Sequence, residues 1–166
     1  MLSGSLFAII VISMCMIVAF RSLKFGLVSF LPNLFPALVI LGIWSAIVGE
    51  VNMAASVVFS LTLGIVVDDT THFLVKYREA RTLQNMNTEQ AIRHTFVSIG
   101  GALVSTSIVL AAGFLVLVHS DFAVNSTSGL LVALTIAVAI ILDLLFLPAL
   151  LIKVDRWLFK NPKAHA

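Results

Sequence analysis

Charged side chains and cysteines are both scarce in this chain. Only 11% of its 166 residues are Asp, Glu, Lys or Arg, whereas a soluble domain carries about 25%, so these charges cannot coat a soluble globule. The single cysteine, Cys15, excludes a disulfide framework. The net charge is only +2, which is little to attract a nucleic acid. These deficits exclude a soluble enzyme, a nucleic-acid-binding protein and a secreted disulfide scaffold.

Apolar residues dominate instead, and they come in long blocks. They make up 60% of the chain, and the mean hydropathy is +1.13. Five blocks are each long enough to cross roughly 30 Å of hydrocarbon at about 1.5 Å per residue. The sequence therefore predicts an all-α membrane bundle, residues 1–152, followed by a basic tail at 153–166. Its five transmembrane helices are predicted at about 3–20, 26–48, 53–75, 95–118 and 128–152.

The placement of the basic residues predicts the orientation of these helices. Every Lys and Arg lies in the first link, the third link or the tail: Arg21, Lys24, Lys76, Arg78, Arg81, Arg93, Lys153, Arg156, Lys160 and Lys163. Basic loops stay in the cytoplasm. We therefore predict a multi-pass protein of the cell (inner or plasma) membrane, with its N-terminus outside and its C-terminus cytoplasmic. Since an outside N-terminus is unusual for a complete protein, Met1 is interpreted as an internal methionine or a truncated start.

Three acidic residues lie inside the predicted helices: Asp68, Asp69 and Asp143. An ionisable side chain at the bilayer centre costs about 2.5 to 3.5 kcal/mol, so such residues usually face the bundle interior and serve a pathway. Two adjacent carboxyls cannot both ionise cheaply in a low dielectric, so Asp68 and Asp69 are expected to titrate in coupled steps. A carboxyl pair of this kind can take up and release a proton.

His72 extends the acidic pair along the same helix. It follows Asp68 by four residues and Asp69 by three, so all three can share one side of the helix. The spacing predicts a proton relay, with the proton as the only coupling ion and with no metal or organic cofactor. The alternative is structural: His72 makes hydrogen bonds near the interface, and the acids cap polar groups of neighbouring helices. Supporting polar residues are expected at Thr70, Thr71, Ser105, Thr106 and Asp143, with Lys153 or a group outside this chain as a candidate partner of Asp143.

Two further features bear on helix geometry. Pro32 and Pro36 remove backbone donors from the second predicted span, so they are expected to bend or break it, and Asn33 can satisfy a freed group. In the polar third link, Asn87 or Thr88 is expected to cap a short helix at the membrane interface.

The sequence around the acidic pair resembles that of a known family. Residues 64–74, Gly-Ile-Val-Val-Asp-Asp-Thr-Thr-His-Phe-Leu, are similar to the Gly-xxx-Asp-Asp helix of the resistance-nodulation-division (RND) superfamily of exporters. The most similar branch is the hydrophobe exporter, or MMPL-like, branch. Three more stretches agree in order and spacing, at 31–36 with Gly42 after it, at 105–114 and at 143–150, so the resemblance covers nearly the whole chain.

This resemblance implies a function. In the family, each half contributes one helix, a large extracytoplasmic domain and then five helices, and the five-helix block is similar to a sterol-sensing domain. The chain would then be the C-terminal membrane block of a proton-motive-force-driven exporter of hydrophobic or amphiphilic molecules, with Asp68 and Asp69 as proton carriers. Its partners would be the lipid bilayer, a lipid-like substrate, and a missing N-terminal half with extracytoplasmic domains, without which it is not expected to transport. A homo-oligomer stays open.

Two other functions stay open beside the exporter. A lipid-sensing or regulatory module similar to a sterol-sensing domain would need no proton cycle. An intramembrane aspartyl protease would use Asp68 or Asp69 together with Asp143, but neither acidic site carries the Gly-x-Gly-Asp pattern of those enzymes. The chain also departs from many RND relatives, because no Lys or Arg lies deep in a predicted helix as a partner of the acidic pair.

Overall fold

The computed structural model describes residues 22–48 and 53–159, together with the single positions 11, 14, 17, 18 and 20. All regular structure in these residues is helical, which confirms the all-α prediction. Most of the predicted first helix, 3–20, lies outside the described residues. The same holds for Cys15, for Arg21 and for the end of the tail at 160–166.

Within the described residues, four long helices and one short helix follow one another. They are α1 (Leu23–Val48), α2 (Met53–Thr82), the short α3 (Thr88–Thr95), α4 (Gly101–Val116) and α5 (Ala123–Leu158). A π-helical turn, Phe96–Gly100, joins α3 to α4, and a 3₁₀ turn, Leu117–His119, follows α4. Three described stretches are long and apolar enough to cross a membrane: Leu23–Ile47, Thr88–His119 and Ala123–Leu158. The count of five and the orientation stay predictions.

Two helices extend beyond the predicted membrane spans. The helix with the acidic pair continues to Thr82, past the predicted span at 53–75, and the last helix runs from Ala123 to Leu158, around the predicted span at 128–152. Hydropathy indicates where a helix leaves the hydrocarbon, but the helix itself continues wherever its polar turns find partners. The prolines do not break the second predicted span, because α1 passes through Pro32 and Pro36 as one helix.

The predicted cap of the short helix is confirmed at Asn87. Its side-chain oxygen accepts a hydrogen bond from the backbone N–H of Gln90 at 2.9 Å, and the Gln90 side chain accepts one from the backbone N–H of Asn87 at 3.2 Å. This reciprocal pair satisfies two backbone donors that would otherwise lack partners. The turn after α2 therefore ends in a well-defined entry to α3.

Helix α5 is the centre of the bundle. It packs against α1, α2 and α4, and α2 also packs against α1 and α3. One apolar cluster joins Phe73 and Tyr77 of α2 to Leu147 and Leu151 of α5. A second cluster, nearer the other end, joins α1, α2 and α5 around Ile136. Helix α4 packs closely on α5 alone among the long helices and leaves most of its other side chains exposed.

The start of α1 and the ends of α2 and α5 meet at what we call the basic end, where polar contacts hold them together. Asp155 of α5 accepts hydrogen bonds from Arg81 at 2.9 and 2.6 Å, from the Tyr77 hydroxyl and from Thr88 at 2.8 Å. Lys24 of α1 donates to the backbone oxygen of Trp157 at 2.8 Å. Burial and the bond to Asp155 raise the pKa of Tyr77, and the bond to Asp155 raises the pKa of Arg81. The basic residues that the structure describes in these contacts thus lie at one end, as the alternation of basic residues in the sequence predicts.

Gly129 sets the close approach of α5 to the end of α4. A Cβ atom there would lie 2.6 Å from the backbone oxygen of Phe114 and 2.8 Å from the Cβ of Leu117. We expect Gly129→Ala to destabilise the protein by about 1–3 kcal/mol, because this overpacking must push the helices apart. Reversible unfolding in mixed detergent micelles measures the change.

The matched control for this substitution is Gly113→Ala in α4, where a Cβ would meet no atom within 4 Å. Alanine favours a helix interior over glycine by up to about 1 kcal/mol, so this variant should be as stable as the parent or slightly more stable. Equal stability of the two variants would contradict the close approach at Gly129.

Candidate functional site

Asp68 and His72 lie on one exposed face of α2. Their side chains are 75% and 67% exposed, and the Nε2 atom of His72 lies 3.4 Å from the Oδ1 atom of Asp68. This geometry follows directly from their spacing of four residues, because one helical turn brings such side chains together. A histidine beside a carboxylate can accept a proton, and the resulting imidazolium then forms an ion pair with the carboxylate.

Asp69 faces α4 and is half-buried. Its Oδ2 atom accepts a hydrogen bond from the hydroxyl of Ser107 in α4 at 3.0 Å, and Ser107 itself is buried. This contact bridges α2 and α4, which pack less closely against each other than either packs against α5. A change in the protonation of Asp69 would therefore alter a hydrogen bond to a second helix.

Ser107 was missed by the sequence reasoning, which named its two neighbours instead. Ser105 donates to the backbone oxygen of Gly101 at 2.8 Å, and Thr106 donates to the oxygens of Ala102 and Leu103 at 3.0 Å. Three consecutive hydroxyl residues point about 100° apart around a helix. Which of the three contacts Asp69 depends on the face that α4 presents to α2. No local pattern in the sequence indicates that face.

A groove between α2 and α4 brings the acidic pair together with the predicted hydroxyl residues. This cavity of about 860 Å³ is lined by Asp68, Asp69, Ser105 and Thr106 at its polar part and otherwise by apolar residues such as Val109. A smaller cavity of about 190 Å³ adds His72 to Asp68, Asp69 and Thr106. We call the two together the Asp groove. It therefore contains the three predicted relay residues and two of the supporting ones.

The remaining supporting residues lie outside the groove. Thr71 donates to the backbone oxygen of Val67 in its own helix at 2.6 Å. Thr70 is fully buried between α2 and α5 and donates to the Oδ1 atom of Asp143 at 2.9 Å. The suggested pairing of Asp143 with Lys153 is wrong, because ten residues along one helix span about 15 Å.

The ionisable groups of the groove are therefore two carboxyls and one imidazole. The described residues that line it include no Lys or Arg. No group of three or more His, Cys, Asp or Glu residues in the described part of the chain could hold a metal ion. With these groups alone, the arrangement can bind, hold and pass protons.

Long apolar helices with carboxyls between them define an integral membrane protein. Comparison with protein families makes this specific: the model of the MMPL family matches residues 1–166. The chain belongs to the MMPL family, which confirms the resemblance drawn from the acidic helix. The family match and the long apolar helices together make the chain an MMPL-family membrane protein.

The chain is also similar to part of a longer curated protein. The chain is 28% identical over 141 residues to "Putative membrane protein MJ1562" of Methanocaldococcus jannaschii. The matched region is 85% of this chain and 36% of the relative, so the chain spans about a third of that protein's length. No solved structure matches the chain.

Proposed function

We propose that this chain is the membrane block of an exporter of hydrophobic or amphiphilic molecules that is driven by the proton-motive force, with Asp68 and Asp69 as proton carriers. The observation that carries the proposal is the Asp groove, in which two adjacent carboxyls lie beside an imidazole and a hydroxyl of another helix. Carboxyls within a membrane-spanning helix, where the sequence predicts these two, are costly to keep and usually mark an ion pathway. Membership of a transporter family supports this assignment.

The geometry supports a sequence of proton steps. His72 lies one turn nearer the basic end than Asp68, so a proton that reaches the imidazole can pass to Asp68 and then to its neighbour Asp69. An ionised Asp69 accepts from Ser107, whereas a protonated Asp69 donates; the serine hydroxyl can act as donor or acceptor and so can follow either state. Protonation of Asp69 can therefore reverse the direction of the hydrogen bond that joins α2 to α4.

The energy of one proton is sufficient for such a switch. A proton that crosses 100 mV releases about 2.3 kcal/mol, and about 1.4 kcal/mol corresponds to a tenfold change in an equilibrium constant. A two-state arrangement of α2 and α4 can thus be shifted by more than tenfold per proton if its two states differ in their proton affinity.

In the proposed exporter, this chain occupies the membrane and other parts of the transporter handle the substrate. The basic end would face the cytoplasm by the positive-inside rule, and the membrane would be the inner or plasma membrane. A second membrane half and extracytoplasmic domains would handle the substrate. The greater length of the relative, of which only 36% is matched, supports the presence of further parts in the complete transporter.

The driving force is tested with the complete transporter, meaning this chain together with those further parts, reconstituted in liposomes. With an imposed proton gradient we expect export of a fluorescent lipid-like substrate, and a protonophore should stop it. Export that continues unchanged after the protonophore would overturn the proposal.

Ser107→Ala tests the bond between α2 and α4. The variant removes the only hydrogen-bond donor that the described structure gives Asp69. A hydrogen bond to a charged group contributes about 1.5–3 kcal/mol, so we expect the export rate to fall by about tenfold or more. The initial rate in the same liposomes measures it.

Ser105→Ala is the matched control for Ser107→Ala. Ser105 also lines the groove, but its hydroxyl is bonded to its own helix. This variant should export at nearly the parent rate. Equal losses in the two variants would show that the bond between Ser107 and Asp69 has no special role.

A lipid-sensing module is the second candidate, and the walls of the groove favour it. A cavity of about 860 Å³ with mostly apolar walls falls in the range of small-molecule sites, about 300–1,000 Å³. Photo-crosslinking of a lipid into the groove, together with full function of Asp68→Asn and Asp69→Asn, would favour this candidate over proton-driven export.

A further inference from the structure

Asp143 is a buried carboxyl that lies outside the Asp groove. Its side chain is 1% exposed, on the face of α5 that packs against α2. The Oδ1 atom is bonded to Thr70, whereas the Oδ2 atom is buried without a hydrogen-bond partner in the described structure. A negatively charged oxygen without a hydrogen-bond partner is unfavourable in an apolar interior. Burial therefore disfavours the ionised form of Asp143.

The hydrogen bonds of Thr70 indicate where the proton is. The Thr70 hydroxyl has one hydrogen but two acceptors within reach, Asp143 Oδ1 at 2.9 Å and the backbone oxygen of Val66 at 3.4 Å. If Asp143 is ionised, the single hydrogen of Thr70 must be shared between the two acceptors or serve only one of them. If Asp143 carries a proton on Oδ1, that proton is donated to Thr70, and Thr70 donates to Val66. The protonated form makes both contacts hydrogen bonds and leaves no buried negative charge.

Few charged groups can reach Asp143 from the packed helices. Helix α1 has Lys24 as its one ionisable residue and α4 has none. Lys24 bonds at Trp157, about 20 Å along α5 from Asp143. Helix α3 and the 3₁₀ turn touch α5 towards its two ends, at Asp155 and at Gly129, so their ionisable residues lie there too, as do those of α5 itself: Glu89, Arg93, His94, His119, Lys153, Asp155 and Arg156.

On α2, the ionisable residue next to Thr70 is Asp69. Two carboxylates that interact in a low dielectric disfavour each other's ionisation. A negative charge on Asp143 therefore works against a negative charge on Asp69, and the two sites are coupled across α2.

We propose that Asp143 is a third protonatable residue of the transport cycle, which holds a proton in this conformation and releases it when Thr70 moves away. The proton leaves Oδ1 for water that enters between α2 and α5, and the same O–H bond re-forms from water when the helices close. Because α1, α2 and α4 all pack on α5, a charge that appears on Asp143 acts on the centre of the bundle. This inference rests on the proposed export function.

Infrared spectroscopy of the purified chain in lipid bilayers tests the proton directly. We expect the carbonyl band of a protonated carboxylic acid at neutral pH, lost in Asp143→Asn, displaced in Asp143→Glu and unchanged in Asp121→Asn, which alters an exposed acid. The helical circular dichroism of each variant verifies folding. An unchanged band in a folded Asp143→Asn variant would overturn the inference.

Transport separates this role from a purely structural one. Asparagine keeps an oxygen that can accept from Thr70 but cannot cycle a proton. In the complete transporter we expect Asp143→Asn to lose export, whereas Asp143→Glu and Thr70→Ser keep it. Parent-rate export by Asp143→Asn, with Asp69→Asn inactive, would overturn the inference and leave the proposed function standing. Parent-rate export by both Asp68→Asn and Asp69→Asn would instead remove the proposed function.

Discussion

Replacing Asp69 with Asn in the complete transporter is expected to reduce export to the level of protein-free liposomes, although the variant still inserts and folds. Asparagine has nearly the same size, and its amide oxygen can accept the hydrogen bond from Ser107 that Asp69 accepts at 3.0 Å. What it cannot do is take up a proton. Asp68→Asn should have the same effect, because Asp68 is the carboxyl that joins His72 to Asp69.

The control for these two variants is Asp121→Asn. Asp121 is an exposed acid just before α5 and does not line the groove, so its replacement should leave the initial export rate unchanged. Export is measured with equal amounts of each variant in liposomes. Undiminished export by both Asp68→Asn and Asp69→Asn would contradict the assignment of the pair as proton carriers.

Asp155→Ala is expected to have the largest effect on stability. The carboxylate is only 7% exposed, and it accepts hydrogen bonds from Arg81, Tyr77 and Thr88. Its removal leaves a partly buried guanidinium without its partner, and breaking a buried ion pair in this way costs about 3–5 kcal/mol. Reversible unfolding of the purified protein in mixed micelles should show this loss.

Lys153→Ala provides the comparison for Asp155→Ala. Lys153 lies two residues away on the same helix but is exposed, and surface substitutions of this kind usually change stability by no more than about 0.5 kcal/mol. Losses of equal size would show that the contacts of Asp155 at the basic end contribute little to holding α2, α3 and α5 together.

The sequence predicted an all-helical protein, but it did not predict how far the helices extend beyond their apolar blocks. Apolar blocks of sufficient length must be buried in lipid or protein, so their existence follows from composition. The end of α2 does not follow from it, because residues 76–82 are polar and remain helical through contacts that form only after folding, such as the bond between Arg81 and Asp155. Hydropathy cannot register a partner that lies 74 residues away.

In the candidate site, too, contacts within one helix follow from the sequence, whereas contacts between helices do not. Asp68 and His72 are one turn apart, so local geometry alone predicts that they meet. Ser107 and Asp143 are different, because their partners lie on another helix. The register between helices decides that Asp69 meets Ser107 and that Thr70 meets Asp143, and side chains along the whole interface determine that register.

Proton movement itself tests most directly whether Asp68 and Asp69 carry protons. The complete transporter is reconstituted in liposomes that contain a pH-sensitive dye, and a proton gradient is applied in the presence of substrate. The parent protein should move protons, and a folded Asp68→Asn/Asp69→Asn double variant should move none above the leak of protein-free liposomes. Proton movement by that double variant at the parent rate would contradict the central role of the Asp groove.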